Sequence, residues 1–104
     1  MEFSPVTAVA KANVYFDGGV VSHAIIFPDG ERKTLGIIRE GSYHFGTEAA
    51  ENMKITDGAC NVMFDGTTEY KTFSAGEEYD VAAISGFTIA VTKGLCQYVC
   101  SYLK

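Results

Sequence analysis

Four Asp-Gly dipeptides punctuate the chain, at Asp17-Gly18, Asp29-Gly30, Asp57-Gly58 and Asp65-Gly66. This pair supplies the left-handed backbone that tight turns between antiparallel strands require. Between these and the further breaks "SAGEE", "SG" and "TKG" lie short runs rich in Val, Ile, Tyr, Phe and Thr. No run sustains a 3.6-residue apolar period, so helices have little to build on. The expected strands are 12–17, 20–27, 31–39, 42–46, 51–56, 59–64, 68–73, 78–83, 87–91 and 95–102. Many short strands with regular turns point to an all-β sandwich or barrel. With 104 residues there is room for one core, so 1–104 is expected to be a single domain, with 1–11 a loosely held arm.

Charge and composition narrow the partners. Thirteen acidic residues against eight basic ones leave a net charge of −5. The basic residues are scattered, which disfavours nucleic acid, whose affinity rests on clustered Lys and Arg. A small anion remains compatible, since one Arg and a few backbone N–H groups hold it locally. With 47% hydrophobic and 20% charged residues and no apolar stretch near eighteen residues, the chain reads as globular, with no membrane partner. The opening "MEFSPVTAVAKANVYF" lacks the basic and apolar regions of a secretory signal, so the cytoplasm is the expected compartment. Cys96 and Cys100, four apart on one strand, would stand about 13 Å apart, beyond disulfide reach. Together with Cys60 they are expected to be buried free thiols.

Strand alternation selects the inward side chains. In "ENMKIT" the set Glu51, Met53, Ile55 shares a face, apolar except for its carboxylate. A carboxylate there is costly unless paired, hydrogen-bonded or protonated. Glu51 is therefore the leading candidate for a general acid with a raised pKa, the alternative being a wet strand end. Tyr43, Phe45 and Thr47 share one face of their strand, as do Phe87, Ile89 and Val91 of theirs; Cys96, Tyr98, Cys100 and Tyr102 form one face of the last strand. In "TLGIIRE" the set Leu35, Ile37, Arg39 is expected to share a face, placing Arg39 at a rim where its planar fork could clamp phosphate or carboxylate. Neither His23 nor His44 is placed to serve as a ligand, and the catalytic signatures of nucleotide loops, nucleophile elbows and zinc proteases are absent.

The stretch "GSYHFGTEAAENMKITDG" resembles the first cupin motif, which ends in a Glu, six residues and a turn Gly, here Glu51 and Gly58. The histidine positions of that motif fall on Phe45 and Thr47, and that of the second motif, counted from Gly76, on Phe87. Three of four metal positions are thus non-ligating, and no metal is expected. A closer resemblance spans residues 13 to 103. "NVYFDG", "GSYHFGT", "ENMKITDG", "FSAGEEYDV", "SGFTIAV" and "YVCSYL", in order and spacing, resemble the cupin-type pyrimidine/purine nucleoside phosphorylases. Ser101 stands where relatives can carry Arg, and "VAAISGF" lacks a Pro often found there.

That resemblance implies a small cupin-like jelly-roll β-barrel, a homodimer, and phosphorolysis of nucleosides by inorganic phosphate to free base and pentose 1-phosphate. It implies broad specificity and no organic cofactor. On facing and chemistry, Glu51 would protonate the leaving base or bind ribose hydroxyls. Phe45, Phe87 and Tyr98 would stack on the base, with Tyr43 lining the cavity. Arg39, with the Thr47 or Ser85 hydroxyl, would hold phosphate. The rival readings are a metal-free cupin that binds a sugar or nucleoside without turnover, and a structural or metal-sensing module.

Overall fold

A computed structural model describes residues 1–103; Lys104, the last residue of the expected domain, lies outside the described residues. Among the described residues eleven strands form, β1 (Thr7–Ala8), β2 (Asn13–Tyr15), β3 (Val20–Ile26), β4 (Arg32–Ile38), β5 (Gly41–Thr47), β6 (Glu51–Asp57), β7 (Ala59–Phe64), β8 (Lys71–Ser74), β9 (Glu78–Val81), β10 (Ser85–Val91) and β11 (Cys96–Tyr102). All four Asp-Gly glycines adopt positive φ, as their turns demand. One short 3-10 turn, Phe16–Gly18, replaces the end of the strand expected at 12–17.

The strands make two antiparallel sheets. One runs β1-β3-β4-β11-β6-β9, with β2 also paired to β3; the other runs β5-β10-β7-β8. Their inner faces meet in a core that includes Val20, Ile38, Ile55, Val62, Phe87 and Ile89, each almost wholly buried. This is the small cupin-like jelly roll that the turn pattern and the motif resemblance anticipate. The three cysteines are buried and free. Residues 1–11 are not loose throughout. Thr7 and Ala8 pair with Ile26 and Ile25, Val9 N–H donates to the Ala24 carbonyl, and Phe3 packs edge-on against Phe27.

That docked arm explains one inverted facing. On β4 the inward residues are Thr34, Gly36 and Ile38, while Leu35 and Ile37 face outward. The outer surface of the larger sheet is itself partly apolar, because Met1, Phe3 and Val6 of the arm line a groove over it with Leu35 and Val99. Two apolar sets on one strand left the choice of face open, and Leu35–Ile37 belongs to the arm side. Arg39 lies beyond the end of β4 and is exposed.

Candidate functional site

Register in the larger sheet arranges the inward side chains in transverse rows. Tyr102 pairs with Glu51, and Glu51 with Val81. Extending the Ser101–Lys33 pairing by one residue sets Tyr102 beside Arg32. Arg32, Tyr102 and Glu51 thus form the outermost row. The next row inward is Ala24, Thr34, Cys100, Met53 and Tyr79, and the third is Ser22, Gly36, Tyr98 and Ile55. Polarity falls with depth, from a charged rim to the apolar floor at Val20, Ile38 and Cys96.

Between these rows and the smaller sheet lies a cavity of about 260 Å³, large enough for one small molecule and below the roughly 300–1,000 Å³ of drug-sized pockets. Glu51, Arg32, Tyr98, Cys100 and Tyr102 line it from the larger sheet, and Phe45, Phe87 and Ile89 from the smaller one. Phe45 and Phe87 stack with centroids 5.9 Å apart and an interplanar angle of 28°. Tyr15 meets Phe45 edge-on at 5.7 Å and closes one side. The Asn13 amide donates to Ser22 Oγ at 3.3 Å, and both residues line the cavity with Tyr98.

Glu51 is half-buried, and desolvation holds its carboxyl above the ordinary glutamate range, partly offset by a hydrogen bond from the Cys100 thiol. The same neighbourhood pushes Cys100 up to about 12, through its own burial first and the adjacent Glu51 second. Cys100 is therefore a neutral donor to the carboxyl, not a thiolate nucleophile. Among the described residues no basic group lies within ion-pair reach of Glu51. The outcome is a carboxyl with a raised pKa inside an aromatic-walled cavity, the kind of setting in which carboxyls can serve as general acids.

The structure gathers four of the expected site residues, Glu51, Phe45, Phe87 and Tyr98, around one cavity and leaves four outside its lining. Arg39 is at the surface, its backbone N–H donating to the Gly19 carbonyl. The Tyr43 hydroxyl donates to the carbonyls of Arg39 and Glu40 at 3.2 and 3.0 Å, so it ties a turn together. Thr47 is buried; its hydroxyl donates to the Ala82 carbonyl at 2.6 Å and accepts from Ser85 N–H at 3.0 Å. An anion clamp of Arg39, Thr47 and Ser85 is therefore not assembled. Arg32 and Tyr102 also line the cavity without having been expected there; they fall on the same face as Gly36 and Glu51 once β4 is read in its true register. Phe45 and Phe87, at two of the cupin metal positions, line the cavity, whereas Thr47 is bound to the β9–β10 connection. Among the described residues no group of three His, Cys, Asp or Glu is placed to hold a metal ion.

Fold and cavity define a cupin-like barrel with one carboxyl set among aromatic rings. The family model described as pyrimidine/purine nucleoside phosphorylase matches residues 10–102. Proteins named pyrimidine/purine nucleoside phosphorylase from Burkholderia ambifaria (strain MC40-6) and Paraburkholderia xenovorans (strain LB400) are 51% and 49% identical over 102 residues, covering 98% of this chain and 95% of each relative. A crystal structure of a protein of unknown function from Acinetobacter sp. ADP1 superposes with a TM-score of 0.95 at 38% identity, covering 98% of both chains. The chain belongs to the pyrimidine/purine nucleoside phosphorylase family.

Proposed function

We propose that the protein catalyses phosphorolysis of both purine and pyrimidine nucleosides, acting as a pentosyltransferase that yields free base and pentose 1-phosphate. The observation that carries this reading is Glu51, a half-buried carboxyl whose pKa is raised by burial, lining a cavity with Phe45, Phe87 and Tyr98. Rings that stack on a base without reading its hydrogen-bonding edge tolerate purine and pyrimidine alike. A protonated Glu51 donates to the departing base as positive charge grows on the sugar. Inorganic phosphate is a co-substrate in this reading, no organic cofactor or metal is used, and the enzyme works as a homodimer in the cytoplasm.

The test is release of free base from uridine and from inosine, with and without inorganic phosphate. Phosphate-dependent release from both supports the proposal. Binding of nucleoside without release of base would instead identify a metal-free binding module. Release from only one class would remove the broad specificity.

A further inference from the structure

Arg32 is the cationic side chain of the cavity lining, and among the described residues no carboxylate lies within ion-pair reach of it. Its neighbour Lys33 is already engaged, donating to Ser101 Oγ at 2.8 Å and lying 3.8 Å from Glu31. Strand spacing sets the backbones of Arg32 and Glu51 roughly 10 Å apart, with Tyr102 of β11 between them. A guanidinium without a partner, beside a phenol, is a fork open to a tetrahedral oxyanion. The acidic surface adds a reason for a built site, because a net charge of −5 does nothing to concentrate anions.

We propose that Arg32, assisted by the Tyr102 hydroxyl, binds the attacking phosphate at the rim of the cavity, in one line with the sugar over Tyr102 and the base toward Glu51. This assignment rests on the phosphorylase reading and adds the direction of attack to it. A hydrogen phosphate oxygen forms the bond to C1′ as the bond from C1′ to the base nitrogen breaks, its electron pair leaving with the base. Glu51 gives its proton to the base and regains one from solvent, to which the hydroxyl proton of the hydrogen phosphate is lost. Atoms and charge then balance as nucleoside plus hydrogen phosphate giving base plus pentose 1-phosphate dianion. An outermost row also lets phosphate enter and the phosphorylated sugar leave past the same Arg.

The test compares Arg32→Gln, Arg32→Lys and the surface control Arg39→Gln by phosphate KM, nucleoside KM and melting temperature. Loss of a charge-assisted hydrogen-bond pair raises the phosphate KM roughly tenfold to a hundredfold in Arg32→Gln, with nucleoside KM and melting temperature held. Arg32→Lys falls between, keeping the charge and losing the fork, and Arg39→Gln matches the parent. A folded Arg32→Gln with the parent phosphate KM overturns the assignment. In parallel, inorganic phosphate is titrated against each protein by phosphorus NMR, without nucleoside. If the parent protein releases no base, phosphorolysis fails as a function. The anion site then stands if phosphate binding is lost in Arg32→Gln, and falls if binding is unchanged or absent from the parent.

Discussion

Gly36 on β4 and Tyr98 on β11 face each other across the ladder, and a Cβ at position 36 would collide with the hydroxyl end of the Tyr98 ring. The absent side chain leaves the ring and hydroxyl of Tyr98 their space beside β4, where Tyr98 lines the cavity. Gly36→Ala should displace that ring toward the cavity. Overpacking of this kind costs about 1–3 kcal/mol, readable as a lower urea midpoint. It should also raise the nucleoside KM while leaving the phosphate KM close to the parent value. Gly36→Ala with unchanged stability and nucleoside KM would show that Tyr98 does not form the wall.

The raised pKa of Glu51 should make stability, and turnover in the proposed reaction, depend on pH in the opposite sense from most carboxylates. Its folded pKa is raised, so between the unfolded and folded values the folded state binds more protons and stability falls as pH rises. Below the unfolded value both states are protonated and the penalty vanishes. Glu51→Gln, which keeps an acceptor for Cys100 but never ionises, should melt higher than the parent at pH 8, with the difference closing toward pH 4. Turnover should fall about 10²–10⁴-fold in the same variant. In the parent, turnover should decline as pH climbs through the raised pKa, and Glu51→Gln should lose that limb. A variant that retains full turnover would remove Glu51 from the chemistry.

Thr47 shows how a polar residue at a ligand position can be structural. Its hydroxyl closes the β9–β10 connection through Ala82 and Ser85. Thr47→Val strands both a carbonyl and an N–H, costing about 1–3 kcal/mol, whereas Thr47→Ser retains both partners and most of the stability. Neither variant should alter the phosphate KM. A rise in that KM with stability intact would place the hydroxyl on the ligand after all.

Much of this was legible in the chain because period-two patterning is local. The Asp-Gly turns mark the hairpins, the run 59–64 matches β7 residue for residue, and Glu51–Met53–Ile55 faces inward as its alternation requires. What did not come together was the expected cluster of Arg39, Thr47 and Ser85, for a long-range reason. "RKTLGIIR" offers two arginines seven apart, and strand parity alone puts Arg32 and Arg39 on opposite faces. Which face is core depended on the N-terminal arm, whose docking over Leu35 and Val99 makes the outer face apolar too. The pairing of Gly36 with Tyr98 would have settled the register, but cross-strand partners are not readable from one strand. Thr47 failed for another reason, since a buried hydroxyl on the correct face was already taken by backbone groups.

The cupin metal positions supply the last prediction. Phe45 and Phe87 form a stacked pair, and Thr47 is held by two backbone groups, leaving Glu51 as the sole donor of the set. One half-buried carboxyl with a raised pKa is a poor ligand, because metal binding requires it ionised and a transition metal needs at least three protein donors. Dialysis against a strong chelator should therefore leave base release, phosphate KM and melting temperature unchanged, and added zinc or manganese should restore nothing. The sharper version uses pH: a metal held by Glu51 would lower that carboxyl's pKa, whereas burial raises it. A turnover profile that shifts toward acid when metal is added, or activity lost to the chelator and regained with metal, would overturn the metal-free reading. An unchanged profile leaves proton transfer by Glu51 as the chemistry of this cavity.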